Sequence, residues 1–137
     1  DRGLQDAPRM ARFLRERGAQ PHLIVTSPAR RALNTAQFFA AEFGLGEADF
    51  QQKEDIYEAQ PLQILRVISG LPDEANTVLL FGHNPTFTDV ANRFTEDFIP
   101  NVPTCGIVRI ESSARSWNEL YEGNSKVTAC FFPKEVL

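Results

Sequence analysis

Apolar residues recur along this chain with two periods. Leu4, Ala7, Ala11 and Leu14 fall on one stripe of a helix, with Gly18 as its stop. HLIVT is a short β-branched run. Ser27 and Pro28 follow it as an N-cap and first-turn pair. The next helical stripe carries Ala32, Ala36, Phe39 and Phe43 and stops near Gly44. A brief strand is predicted from Phe50 to Lys53, then a helix from Pro61 to Ile68 closed by the turn SGLPD. TVLLF is the strongest strand: four consecutive large apolar residues predict burial on both faces. Phe87, Val90, Ala91 and Phe94 give a third helical stripe. CGIVRIE and KVTACFF then read as two strands of a hairpin with a long polar connection.

Alternating helices and strands predict an α/β domain with a mostly parallel sheet and an antiparallel tail at one edge. With 137 residues, no internal repeat and no linker, residues 1–137 form one domain. An α/β sheet ordinarily begins with a strand, whereas DRGLQDAPRMARFL enters a helix, so a further strand is expected before Asp1.

Charge and composition narrow the classes. A net charge of -4 argues against a nucleic-acid platform, and no apolar run is long enough to span a bilayer. Neither excludes a small anion, since a few arginines can make a positive pocket in an acidic protein. The two cysteines, Cys105 and Cys130, are expected to be buried reduced thiols. CxxC and HExxH are absent, and His22 and His83 are far apart, so no metal and no cofactor are expected. A cytoplasmic location is expected.

Two junctions share one design. HLIVT leads through Ser27-Pro28 into a helix, and TVLLF leads through Gly82-His83-Asn84-Pro85 into another. In open α/β sheets the ligand crevice lies beyond the carboxyl ends of the strands. Helix N-termini there favour an anion. Arg31, early in its helix, can reach back to that crevice with a fork suited to phosphoryl oxygens. His83, at its strand end, can hydrogen-bond a phosphoryl oxygen or move a proton. Arg30 is expected to be a solvated surface charge and Ser27 a helix cap rather than a nucleophile.

SPARRALNTA (27–36) resembles the SPxxRAxxTA segment of the histidine phosphatase superfamily, whose fold is phosphoglycerate mutase-like. VLLFGHNPTFTDVAN (78–92) resembles the segment holding that family's second histidine, and RGLQDAPRMARFL the helix after its first strand. IYEA (56–59) and PTCGIV (103–108) resemble the SixA-type branch of phosphohistidine phosphatases. The resemblance implies a three-layer α/β/α domain. It also implies that Arg31 and His83 act in catalysis and phosphate binding, with Asn84 beside them. Glu58, and after it Glu54, are the candidates for the carboxylate that donates a proton in many members, though SixA-type enzymes often manage without one.

The family's first strand ends in Arg-His-Gly and supplies the nucleophilic histidine; no RHG occurs in this chain. The resemblance thus implies that this first strand is absent from the given chain and that the native protein is longer. It further implies hydrolysis through a covalent phosphohistidine intermediate, without metal or cofactor, on a histidine-phosphorylated protein. Two alternatives stand beside this: a phosphomonoesterase for small phosphorylated substrates, and a catalytically inactive anion-binding or interaction domain.

Overall fold

A computed structural model describes residues 2–137; Asp1, at the predicted helix entry, lies outside them. The first helix, α1, spans Arg2–Glu16. It ends before Gly18, whose φ of 91° suits a residue without Cβ. Ala7, Ala11 and Leu14 are buried as the stripe predicts, and Met10 is fully buried with them. Leu4 is instead 51% exposed.

Three parallel strands make the first sheet: β1 (Leu23–Thr26), β2 (Phe50–Gln52) and β3 (Val78–Phe81), in the order β2-β1-β3. Between them run α2 (Arg30–Phe43) and α3 (Pro61–Ser69), and α4 (Thr86–Asn92) follows β3. The pleat of β1 divides the core into two layers. Ile24 faces Met10, Ala11 and Leu14 of α1 and Ala36 and Phe39 of α2. Leu23 and Val25 face Ile64 and Val67 of α3 and Val90 of α4. The three-layer α/β/α architecture follows from that alternation.

The antiparallel strands β4 (Ile107–Ser112) and β5 (Ser125–Phe131) form a hairpin with a register shift between Arg109 and Ile110; a short helix, α5 (Pro133–Val136), closes the chain. This hairpin is a second, two-stranded sheet and does not continue the first as an edge tail. Yet both core layers run across to it. Ile110 and Val127 pack against the α3/α4 layer, and Ile107, Ala129 and Phe131 belong to the α1/α2 layer. Two sheets thus share two hydrophobic layers without a hydrogen-bond ladder between them among the described residues.

That separation corrects the expectation for TVLLF. All four residues of β3 are only half-buried, because one of its edges faces no strand. The free thiols differ from expectation in the same way. Cys105 packs in the α1/α2 layer and Cys130 beside Ile99 and Val102, and both are half-buried.

The open edge has a measurable consequence. Ser27 N–H donates to the Phe81 carbonyl at 2.9 Å, so Phe81 and, by alternation, Leu79 turn their backbone groups toward β1. Leu80 turns its N–H toward the open edge. In hydrogen exchange followed by NMR, the Leu80 amide is expected to exchange much faster than those of Leu79 and Phe81. Equal protection at the three positions would mean that β3 is paired on both sides.

Candidate active site

Both motif-bearing strand ends lie at one end of the parallel sheet. β1 and β3 are direct neighbours in register, Thr26 opposite Phe81. The Ser27–Phe81 hydrogen bond is their last link. Beyond it the chains part toward Arg31 on one side and His83 on the other. Neither side chain has an ion-pair or hydrogen-bond partner among the described residues, and both are exposed. A guanidinium and an imidazole left unpartnered beyond adjacent strand ends suit a tetrahedral oxyanion.

The segment before α2 differs from the sequence expectation. Ser27 is 1% exposed. Its hydroxyl accepts from the Ala29 N–H at 3.1 Å, closing a tight turn before the helix rather than capping its first turn. The helix begins only at Arg30, with Ala29 as its N-cap, so Arg31 is the second helical residue. Side chains there lean toward the N-terminus and hence toward the strand ends. Ser27 is thereby occupied internally and is unsuited to act as a nucleophile.

Beyond β3 the backbone must pass close to an aromatic ring. A Cβ on Gly82 would lie 2.2 Å from Phe87 Cε1, so no side chain fits immediately before His83. Asn84 is exposed, yet its side chain is committed to hydrogen bonds within the protein. Its Oδ1 accepts from the Thr88 N–H at 3.0 Å and from the Thr88 hydroxyl at 2.9 Å, and its Nδ2 donates to the Val102 carbonyl. The Thr88 hydroxyl in turn accepts from the Val102 N–H at 3.0 Å. The side chain expected beside the phosphate therefore ties the start of α4 to the 99–102 loop, a role that the motif alone does not reveal.

Glu58 follows β2, two strands away from β3 in sheet order. Its loop nevertheless returns to the site, since the Thr86 hydroxyl donates to the Ala59 carbonyl at 2.7 Å. Glu58 holds φ 51° and Cys105 φ 62°, the non-glycine residues with positive φ among those described. Such a backbone is costly for a residue with a Cβ and concentrates at functional sites. Glu54 lies one turn earlier, in the short 3-10 turn Glu54–Ile56.

His22 opens β1 at the opposite end of the sheet, where its Nδ1 accepts from the Thr77 N–H at 3.3 Å. The two histidines are thus separated by the length of the sheet. Burial, and secondarily the nearby Asp6 carboxylate, pushes the Cys105 thiol up to about 11, so it is protonated at neutral pH. Among the described residues no group of side chains could hold a metal ion.

This geometry separates two adjacent arginines. Arg31→Ala is expected to weaken phosphate binding by about tenfold to a hundredfold, the loss of one charge-assisted contact. Arg31→Lys should recover only part, since it lacks the planar fork. Arg30→Ala should change affinity by less than about twofold, as for an exposed charge off the site. Calorimetric titration with phosphate decides the matter, and equal losses at Arg30 and Arg31 would reverse the assignment.

Known proteins share these features. Residues 1–63 match the family described as histidine phosphatase superfamily (branch 1). An uncharacterised protein of Mycobacterium leprae (strain TN) is 26% identical over 142 residues, which cover 97% of this chain and 84% of that protein. Among solved structures, the chain is similar to one designated phosphohistidine phosphatase SixA from Nakamurella multipartitia. The TM-score is 0.76 and the identity 19%, over 94% of this chain and 80% of that one. It is also similar to the SixA-designated structure from Agrobacterium tumefaciens, with TM-score 0.75 and 23% identity over 94% and 79% of the two chains. A third similar structure is the protein histidine phosphatase SixA complexed with tungstate, with TM-score 0.77 and 18% identity over 96% and 81%. Residues 1–63 thus resemble the histidine phosphatase superfamily (branch 1), and over nearly its whole length the chain shares the phosphoglycerate mutase-like fold of the SixA structures.

Proposed function

We propose that the protein is a phosphohistidine phosphatase that hydrolyses a histidine-phosphorylated protein through a covalent phosphohistidine intermediate. The observation that carries this reading is the pair of unpartnered side chains, Arg31 and His83, beyond adjacent strand ends of a fold shared with SixA structures. The tungstate complex among those structures supports an oxyanion site in that fold.

In this mechanism an imidazole nitrogen attacks phosphorus. The P–N bond to the substrate histidine breaks, and the leaving imidazole takes a proton. Arg31 and His83 hold the equatorial oxygens, where negative charge accumulates. Water then attacks the phosphorylated enzyme histidine and releases phosphate. Glu58, on its strained backbone, is the proton donor in this reading, with Glu54 one turn away as the second choice. None of these steps calls on a metal or a cofactor. Asn84 acts through the fold, by holding the turn that presents His83. The reading places the activity in the cytoplasm, where the free thiols Cys105 and Cys130 would stay reduced.

The nucleophile in this proposal rides on a strand ending in Arg-His-Gly, seated between β3 and the β4–β5 hairpin. Both core layers already bridge that place. Such a strand would pair the open edge of β3 and finish beside His83.

Phosphoenzyme trapping tests the proposal. Residues 1–137 alone, and the same residues preceded by a strand ending in RHG, are incubated with labelled phosphoramidate. The longer chain is expected to take up acid-labile phosphate and turn over phosphohistidine, and the shorter to do neither. Clear turnover by residues 1–137 alone would move the nucleophile to His83 and defeat the proposed division of roles. Inertness of both would favour an anion-binding module without catalysis.

A further inference from the structure

Apart from Glu58 and Glu54, the segment that follows β2 carries exposed side chains that the proposed chemistry does not use. After β2 the chain makes the 3-10 turn Glu54–Ile56 and then enters α3. Ile56 is 0% and Ala59 2% exposed, so these two residues pin the segment to the core. Between and beyond them Tyr57 is 49% and Leu62 59% exposed. An aromatic ring and a leucine are thus turned to solvent from a stretch that is itself held firmly. Tyr57 N–H donates to the Glu54 carbonyl at 2.9 Å, and Ala59 N–H to the Ile56 carbonyl at 3.2 Å. The Thr86–Ala59 hydrogen bond fixes the same segment to the first residue of α4, three positions after His83. The segment is therefore held beside the start of α4, close in sequence to His83, as a preorganised surface.

Its charge is the second observation. Glu54, Asp55 and Glu58 are exposed on the same segment, and among the described residues none is in an ion pair. Carboxylates at the mouth of an anion site repel a free phosphorylated small molecule. They attract a phosphoryl group that arrives on a positively charged surface. Exposed aromatic and aliphatic side chains next to them gain by burial against a macromolecule.

We infer that the segment 54–62 is a docking rim for the protein substrate, with Tyr57 and Leu62 as apolar anchors and Glu54, Asp55 and Glu58 facing basic residues that flank the partner's phosphohistidine. The inference rests on the phosphatase reading for the identity of the phosphoryl group. It adds that substrate class is selected outside the catalytic crevice.

The test compares two probes on the chain preceded by the strand ending in RHG and on rim variants of that longer chain. One is free phosphohistidine. The other is a small helical protein bearing a single histidine phosphorylated by phosphoramidate, with lysines one helical turn on either side. Tyr57→Ala with Leu62→Ala should lower kcat/KM for the phosphoprotein by about tenfold or more. Free phosphohistidine should be hydrolysed within about twofold of the unsubstituted rate. Asp55→Lys should lower the phosphoprotein rate at low salt and flatten its salt dependence. Direct binding of the phosphorylated carrier, by calorimetry, should weaken in parallel. Equal losses on both probes, or no loss on either, would overturn the docking rim. Hydrolysis of neither probe by the unsubstituted protein would defeat the phosphatase reading alone. Binding of the carrier would then still decide the rim, since unchanged affinity in the double variant would refute it.

Discussion

Everything that places the site depends on the burial of β1 on both faces. Ile24 and Val25 are fully buried and Leu23 nearly so, facing opposite helical layers. Each such side chain stabilises the fold by roughly 1.5–3 kcal/mol relative to exposure. Hydrogen bonding then sets β2 and β3 parallel on either side of this strand. Parallel strands in register finish at one level, so the turns that follow them open on one crevice. Arg31 and His83 both follow these strand ends, since their chains leave neighbouring strands at the same height. A polar substitution at Ile24 or Val25 would thus disturb the site without touching either residue.

Much of this was legible in the pattern of residues. A four-residue apolar run cannot be solvated, so β1 and β3 were forced inward. The helical stripes Ala32-Ala36-Phe39 and Val90-Ala91-Phe94 then fixed which faces cover them. The strand-to-helix junctions followed, and with them the location of Arg31 and His83. What stayed hidden depends on partners distant in the chain. Half-burial of Val78 to Phe81 reflects the absence of a ladder between two sheets, which no local period encodes. Asn84 turned inward because Thr88 and Val102 offer it bonds, and the second lies 18 positions away. Ser27 closes a turn before the helix, a choice set by its own burial rather than by helix propensity. The left-handed backbone of Glu58 is a consequence of pinning Ile56 and Ala59 into the core on either side of it.

The distribution of charge gives the site its character. The net charge is -4, yet among the described residues Arg31 and His83, beyond adjacent strand ends, are in no ion pair. Unpaired carboxylates stand instead on the 54–62 rim. A protein that merely needed to capture phosphate would gain from cations around the site as well as within it. Cations within and carboxylates around them suit a phosphoryl group that arrives fixed to a larger, basic surface. The internal Asn84–Thr88–Val102 bonds serve the same end. They keep the His83 turn rigid and so lower the ordering cost of binding.

The central claim is that Arg31 and His83 act on one anion, and side-chain NMR tests it most directly. The protein is labelled with nitrogen-15 in arginine and histidine and titrated with tungstate. The Nε signals of Arg31 and the ring nitrogens of His83 should shift together along one binding isotherm, while Arg30 and His22 stay in place. Shifts with two different affinities, or a His83 ring indifferent to saturating tungstate, would contradict a shared site.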